Sequence, residues 1–169
     1  TVFIEAIAAM KHKDIRCVLV GSDQGRTDYR KELEDLIAAN GLNETVRIIE
    51  NCNDMPAAYM LTDVVVSAST DPEAFGRVVP EAQALGRPVI ATDHGGARET
   101  VIQGETGWLV PPGNVEVLAG TIDKVLEMDE DARTALAEKA VENVRENFSK
   151  ASMCAKTLEV YDEILNPHG

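Results

Sequence analysis

An α/β fold, with a mostly parallel sheet covered by helices on both faces, is predicted for this 169-residue sequence by three observations. Short apolar runs alternate with helical stretches as far as Val110, the pattern of strands joined by crossover helices. The run VVVSAS from Val64 to Ser69 has the apolar character of a buried strand. Pro111, Pro112 and Gly113 then end the alternation, and only helical stretches follow. One domain over 1–169 is expected, with a sheet core over about 1–113 and closing helices over about 114–169.

Taken in order, Val2 to Met10 places apolar side chains at Val2, Phe3, Ile4, Ala6, Ile7 and Met10 with few breakers, which predicts an amphipathic helix. IRCVLVG from Ile15 to Gly21 is a strand, and the polar loop SDQGRTD follows it. YRKELEDLIAANG is the next helix, with Asp28 as its cap and Gly41 as its stop. Val46 to Ile49 is a short strand. Asp54 caps a helix to Leu61, where Pro56 is tolerated in the first turn. After the Val64 strand come a helix from Gly76 to Leu85, a strand at Pro88 to Ala91 and a Gly95-Gly96 turn. A short helix through Glu99 to Ile102 and a strand at Gly107 to Val110 complete the alternation. Asn114 caps a helix over about Val115 to Met128, a second covers roughly Ala132 to Asn147, and a third follows Ser149 to Leu165. The apolar positions of these last three are expected to face mostly the core.

Composition narrows the partners. Lys plus Arg number 16 against 29 Asp plus Glu, a formal charge of -13, which disfavours nucleic acid and anionic membrane as general partners. A polyanionic ligand must then be held by local donors. The cysteines Cys17, Cys52 and Cys154 are odd in number and far apart, so neither a disulfide framework nor a metal site is suggested. A reduced, cytoplasmic compartment is expected, and no apolar run approaches the length of a membrane span. The chain opens with TVFIEAIAAM already helical, so a preceding N-terminal segment is expected.

The site is expected between Asp71 and Glu99, DPEAFGRVVPEAQALGRPVIATDHGGARE. Glu73 and Glu81 lie on either side of a loop-to-helix junction at the carboxyl end of a strand, where open α/β sheets bind ligands. Ionised carboxylates only accept hydrogen bonds, which suits them to paired hydroxyls of a ribose or a pyranose. The same spacing also suits a solvated helix glutamate and a loop glutamate. At Phe75, Gly76, Arg77 and Val78 a glycine joins a helix start, so backbone N–H groups could surround phosphate oxygens without a lysine. The Arg77 side chain either adds positive charge there or pairs with an acidic neighbour. Ser67, Ser69 and Thr70 supply hydroxyls, and Gly95 and Gly96 permit close backbone approach. His94 is read as solvated or hydrogen-bonded rather than catalytic.

The order Glu73-x7-Glu81 within PEAFGRVVPEAQALGRPVIAT, then GG, then ETGWLVPPGN resembles the C-terminal half of retaining glycosyltransferases of the two-Rossmann-domain (GT-B) type, the glycosyl transferases group 1 family. The resemblance covers nearly the whole chain. It implies a Rossmann-like domain that holds a nucleoside diphosphate sugar, UDP-sugar or GDP-sugar, while an N-terminal domain holds most of the acceptor. It implies that Glu73 contacts a donor-sugar hydroxyl near the reaction centre and that Glu81 binds the ribose hydroxyls. Phe75 and Gly76 would face the sugar, and the N–H groups of Arg77 and Val78 would hold the diphosphate. Gly21, Asn51 and Cys52 would lie near the base. No metal or other cofactor is implied, and peripheral membrane contact would come through the acceptor domain.

Two departures from the family pattern carry further expectations. Glu50 stands where the family usually has a glycine, and no strand with a basic Arg and Lys pair precedes the first helix. Without that central strand a gap is expected between the strands at Ile15 and Val64, an open edge that invites self-association. The chain alone is then expected not to transfer sugar. Two other readings are a nucleotide-sugar epimerase-like or glycogen-phosphorylase-like enzyme and a non-catalytic nucleotide-sugar-binding domain. A phosphate-cradle ATPase is disfavoured because G-x4-G-K-[ST] is absent.

Overall fold

A computed structural model describes residues 1–22, 25, 27–50 and 52–166. The elements run α1 (Val2–Ala9), β1 (Cys17–Val20), α2 (Thr27–Ala39), β2 (Val46–Ile49), α3 (Met55–Met60), β3 (Val65–Ser67), α4 (Val78–Ala84), β4 (Val89–Thr92), α5 (Ala97–Thr100), β5 (Trp108–Val110), α6 (Val115–Leu126), α7 (Glu130–Asn147) and α8 (Lys150–Leu165). All named strand pairs are parallel. β1 pairs with β2 in the register Cys17↔Val46 to Val20↔Ile49. β4 lies between β3 and β5, with Val66 opposite Ile90 and Ile90 opposite Trp108. The two sheets are not hydrogen-bonded to each other, and the division falls between β1 and β3, where the sequence places a gap.

β4 is buried along its whole length, and its alternating side chains serve two cores. Ile90 joins Ile4, Ile7, Met10, Leu118, Ile122 and Val125 in a cluster shared by α1 and α6. Val89 and Ala91 join Tyr59, Val79, Ala82 and Val101, so α3 and α4 cover the opposite face. Side chains from both sheets, Leu19 and Ile48 on one and Val66 on the other, pack against the first cluster. The division of the sheet is thus spanned by side-chain packing. Each buried Ile or Leu of these clusters contributes about 1.5–3 kcal/mol relative to exposure, which outweighs any single surface pair.

The cap positions explain most helix limits. Asp54 accepts from Ala57 N–H at 3.1 Å, Asn114 from Val117 N–H at 2.9 Å and Ser149 from Ser152 N–H at 3.1 Å, as the sequence predicts. Asp129 does the same for Ala132 at 2.8 Å, which starts α7 at Glu130, two residues before its predicted start. Asp28 is not a cap: α2 already begins at Thr27, so this carboxylate lies in the first turn and interacts there with the helix dipole. α5 covers Ala97–Thr100 and ends before the predicted Ile102, because Val101 is extended.

α1 ends where Met10 turns extended, and the chain is then held on α6. The buried carboxylate of Asp123 accepts Lys11 N–H at 3.0 Å, His12 N–H at 3.2 Å and the His12 ring at 2.9 Å. Burial opposes its ionisation, but those donors prevail and hold it below the usual carboxylate range. Arg133 ties α7 to the end of α6 by donating to the carbonyls of Val125 (2.7 Å) and Leu126 (3.3 Å).

The expectation that the closing helices face the core fails for α8. It has no buried residue, and Met153, Leu158, Ile164 and Leu165 are each at least 60% exposed. Its packing is on the end of α7 rather than on the sheet. No helix among the described residues is long and apolar enough to cross a membrane.

Candidate functional site

The loop after β3 carries the first carboxylate and is moulded from one side. Ser69 Oγ–H donates to Glu73 Oε1 at 2.7 Å. The carbonyl of Ser69 accepts His94 Nε2–H at 3.0 Å, which fixes the histidine tautomer and gives its ring a structural role. Glu73 O accepts Gly96 N–H at 3.0 Å. A Cβ on Gly95 would stand 2.3 Å from Glu73 O, and one on Gly96 would stand 2.4 Å from Phe75 O. The Gly95-Gly96 turn therefore fits against the backbone of Glu73 to Phe75 with no room for a side chain. Phe75 completes the loop by packing on Phe148, with ring centroids 6.1 Å apart.

The predicted helix start moves. Gly76 has φ 70°, a left-handed conformation that no helix continues, so α4 begins at Val78 with Arg77 at its cap. The N–H groups of Arg77 and Val78, at the start of α4, lie ahead of any intrahelical acceptor. The turn brings Glu73 Oε2 within 3.1 Å of where a Gly76 Cβ would be, so the first carboxylate rests on the glycine that precedes the helix.

Glu81 stands in the first turn of α4 and is gripped from two sides. Tyr59, only 5% exposed, donates its O–H to Oε2 at 3.1 Å. Arg77, one turn earlier, donates Nε–H at 3.0 Å and an Nη2–H at 2.7 Å to Oε1. Of the two sequence readings for the Arg77 side chain, the structure adopts pairing with an acidic neighbour. Burial, followed by the adjacent Glu81 carboxylate, pushes the Tyr59 phenol up to about 12, so it remains a donor at neutral pH. Tyr59 escaped the sequence analysis because 22 residues separate it from its partner and no local pattern links them. The Arg77–Glu81 pair had a signal, the four-residue spacing of opposite charges on a helix.

Glu73 and Glu81 thus border the same Gly76-Arg77 turn, with Phe75 beside it. Gly21 and Cys52 lie elsewhere, at the carboxyl ends of β1 and β2. Gly21 N–H donates to Ile49 O at 3.0 Å, and the Cys52 thiol to Asp54 O at 3.3 Å. Among the described residues no hydrogen bond joins these two to the carboxylates, and Asn51 falls outside the described residues. Glu50 pairs with Arg30. The carboxylate turn is an open shelf. Surface concavities of about 620 Å³ between α4 and α7 and about 720 Å³ between α1 and α2 do not include either carboxylate.

A parallel α/β domain with a moulded two-carboxylate turn at the carboxyl end of a half-buried strand is the class that this geometry defines. The profile of the family described as Glycosyl transferases group 1 matches residues 1–146, and the chain belongs to that family. It is 30% identical over 168 residues to a D-inositol 3-phosphate glycosyltransferase of Corynebacterium efficiens, covering 96% of this chain and 39% of the relative. A glycosyltransferase structure from Rickettsia africae superposes with a TM-score of 0.92 at 39% identity, over 97% of this chain and 44% of that one. The Anabaena protein HepE in complex with UDP-glucose superposes with a TM-score of 0.87 at 34% identity, over 94% of this chain and 44% of that one. The chain therefore spans less than half the length of these relatives.

Proposed function

We propose that this chain is the donor-binding domain of a glycosyltransferase that moves a hexose from a nucleoside diphosphate sugar to an acceptor hydroxyl with retention of configuration. The observation that carries this reading is the placement of Glu73 and Glu81 on either side of the left-handed Gly76 turn. Two acceptor groups there are suited to two sets of hydroxyls, and the N–H groups between them to an anion. Glu73, oriented by Ser69, takes the donor-sugar hydroxyl near the reaction centre. Glu81 takes the ribose diol. The N–H groups of Arg77 and Val78 hold the diphosphate, Phe75 and Gly76 face the sugar, and Gly21 and Cys52 lie toward the base.

UDP-glucose in the related HepE structure supports a UDP-sugar as the first donor to try, with GDP-sugars next. No metal or other cofactor is assigned a role. The acceptor is held by a further domain, which also carries any contact with a membrane. Calorimetric titration with UDP, GDP and their glucose and mannose conjugates tests the reading. Saturable binding of one nucleotide that weakens at least tenfold in Glu81→Ala is expected, since a charged hydrogen-bond acceptor contributes about 1.5–3 kcal/mol. Equal binding by the wild type and Glu81→Ala would exclude Glu81 as the ribose ligand.

A further inference from the structure

We infer that Arg77 is a specificity residue, a side chain that closes Glu81 against diols lacking a phosphate and opens it for nucleotides, while Tyr59 positions the carboxylate throughout. The inference rests on the proposed assignment of Glu81 to the ribose. A carboxylate offers about four lone-pair directions. Arg77 fills both of those on Oε1 with Nε–H at 3.0 Å and Nη2–H at 2.7 Å, and Tyr59 fills one on Oε2 at 3.1 Å. One direction remains. A vicinal diol needs two acceptors, so it cannot be accommodated unless a donor already present leaves.

Exposure decides which donor leaves. Tyr59 is buried in the core between α3 and α4, and withdrawing its phenol would open that packing. The Arg77 side chain is 82% exposed and can turn away without disturbing any packing. A ligand carrying only a diol displaces it and leaves a guanidinium without its partner. A ligand that also carries a diphosphate at the turn gives the same guanidinium a new anion, within reach because Arg77 is the cap residue of α4. The exchange therefore favours nucleotides over nucleosides.

Titrations with uridine, UDP, guanosine and GDP test the exchange. Arg77→Met retains the backbone N–H and removes only the fork. It is expected to bind the nucleoside roughly two- to fivefold more tightly, the range of an exposed ion pair that no longer has to be broken. It is expected to bind the diphosphate more weakly, so that the ratio of nucleotide to nucleoside affinity falls by roughly tenfold. A general folding defect cannot tighten one ligand while loosening the other. An unchanged ratio in Arg77→Met, with the wild type binding UDP or GDP, overturns the inference and leaves the donor-site reading intact. Absence of binding of all four ligands by the wild type and by Arg77→Met overturns both.

Discussion

Replacing Gly96 by alanine tests whether the Gly95-Gly96 turn sets the position of the first carboxylate. The backbone of Gly96, the N-cap of α5, is helical, φ -62° and ψ -18°, so alanine fits its dihedrals and by restricting the unfolded chain would gain about 0.4–1 kcal/mol. The new Cβ would stand 2.4 Å from Phe75 O and 2.6 Å from Phe75 C and Cα. Relief to ordinary contact requires the Phe75 backbone to retreat by about 1 Å, and backbone cannot rotate aside as a side-chain tip can. The Gly96 N–H bond to Glu73 O, 3.0 Å in the native turn, opposes that retreat. Overpacking of about 1–3 kcal/mol together with a weakened hydrogen bond exceeds that entropic gain, for a net loss of about 1.5–3 kcal/mol. At this chain length the melting temperature falls by about 4–10 °C. Gly120→Ala is the matched control: Gly120 is exposed within α6, nothing lies within 4 Å of its added Cβ, and about 0.5–1 kcal/mol of stabilisation is expected. Differential scanning calorimetry of both variants reads the opposite signs. A Gly96→Ala protein as stable as the wild type would refute the argument, because the loop would then yield freely.

Two further outcomes follow from titrating groups. Asp123→Asn is expected to lose about 2 kcal/mol at neutral pH by weakening the grip on Lys11 and His12. Because the folded Asp123 carboxyl lies below its unfolded value of about 3.9, its contribution is complete above that pH and disappears as pH falls through the folded value. Denaturant titrations from pH 7 down to pH 2 should show the wild type and Asp123→Asn converging, and a constant difference would contradict the assignment. Burial pushes the Cys17 thiol up to about 11, which leaves roughly 0.1% thiolate at pH 8. Cys154 is exposed on α8, so a disulfide reagent at pH 8 should label it first and reach Cys17 only on unfolding, as peptide mapping would record. Equal labelling rates would show that the β1 region opens far more readily than its packing implies.

What could be read in advance was mostly local. The caps Asp54, Asn114 and Ser149 act where their side chains precede a helix, because capping needs only a donor two or three residues away. Glu73, Gly76 and Glu81 stood out by spacing, since one turn of chain carries all three. The Asp28 cap and the Gly76 helix start failed at element ends, where one residue of the wrong conformation moves a boundary. The outward face of α8 was misread for a different reason. Apolar periodicity shows that a helix has a face to cover, but it does not show what lies opposite.

The sequence by itself determined the alternation of strands and helices, the parallel sense of the strands and the two carboxylates of the candidate site, because each depends on residues close together along the chain. Only the tertiary structure decided that the Gly95-Gly96 turn moulds the Glu73 loop and that Tyr59 and Arg77 hold Glu81 from two sides. These features depend on groups brought together from separate elements, and the free energy that holds them comes from burying Ile90, Val89 and their neighbours rather than from the polar contacts themselves. Spacing along a chain records which groups are available, whereas packing determines which of them meet.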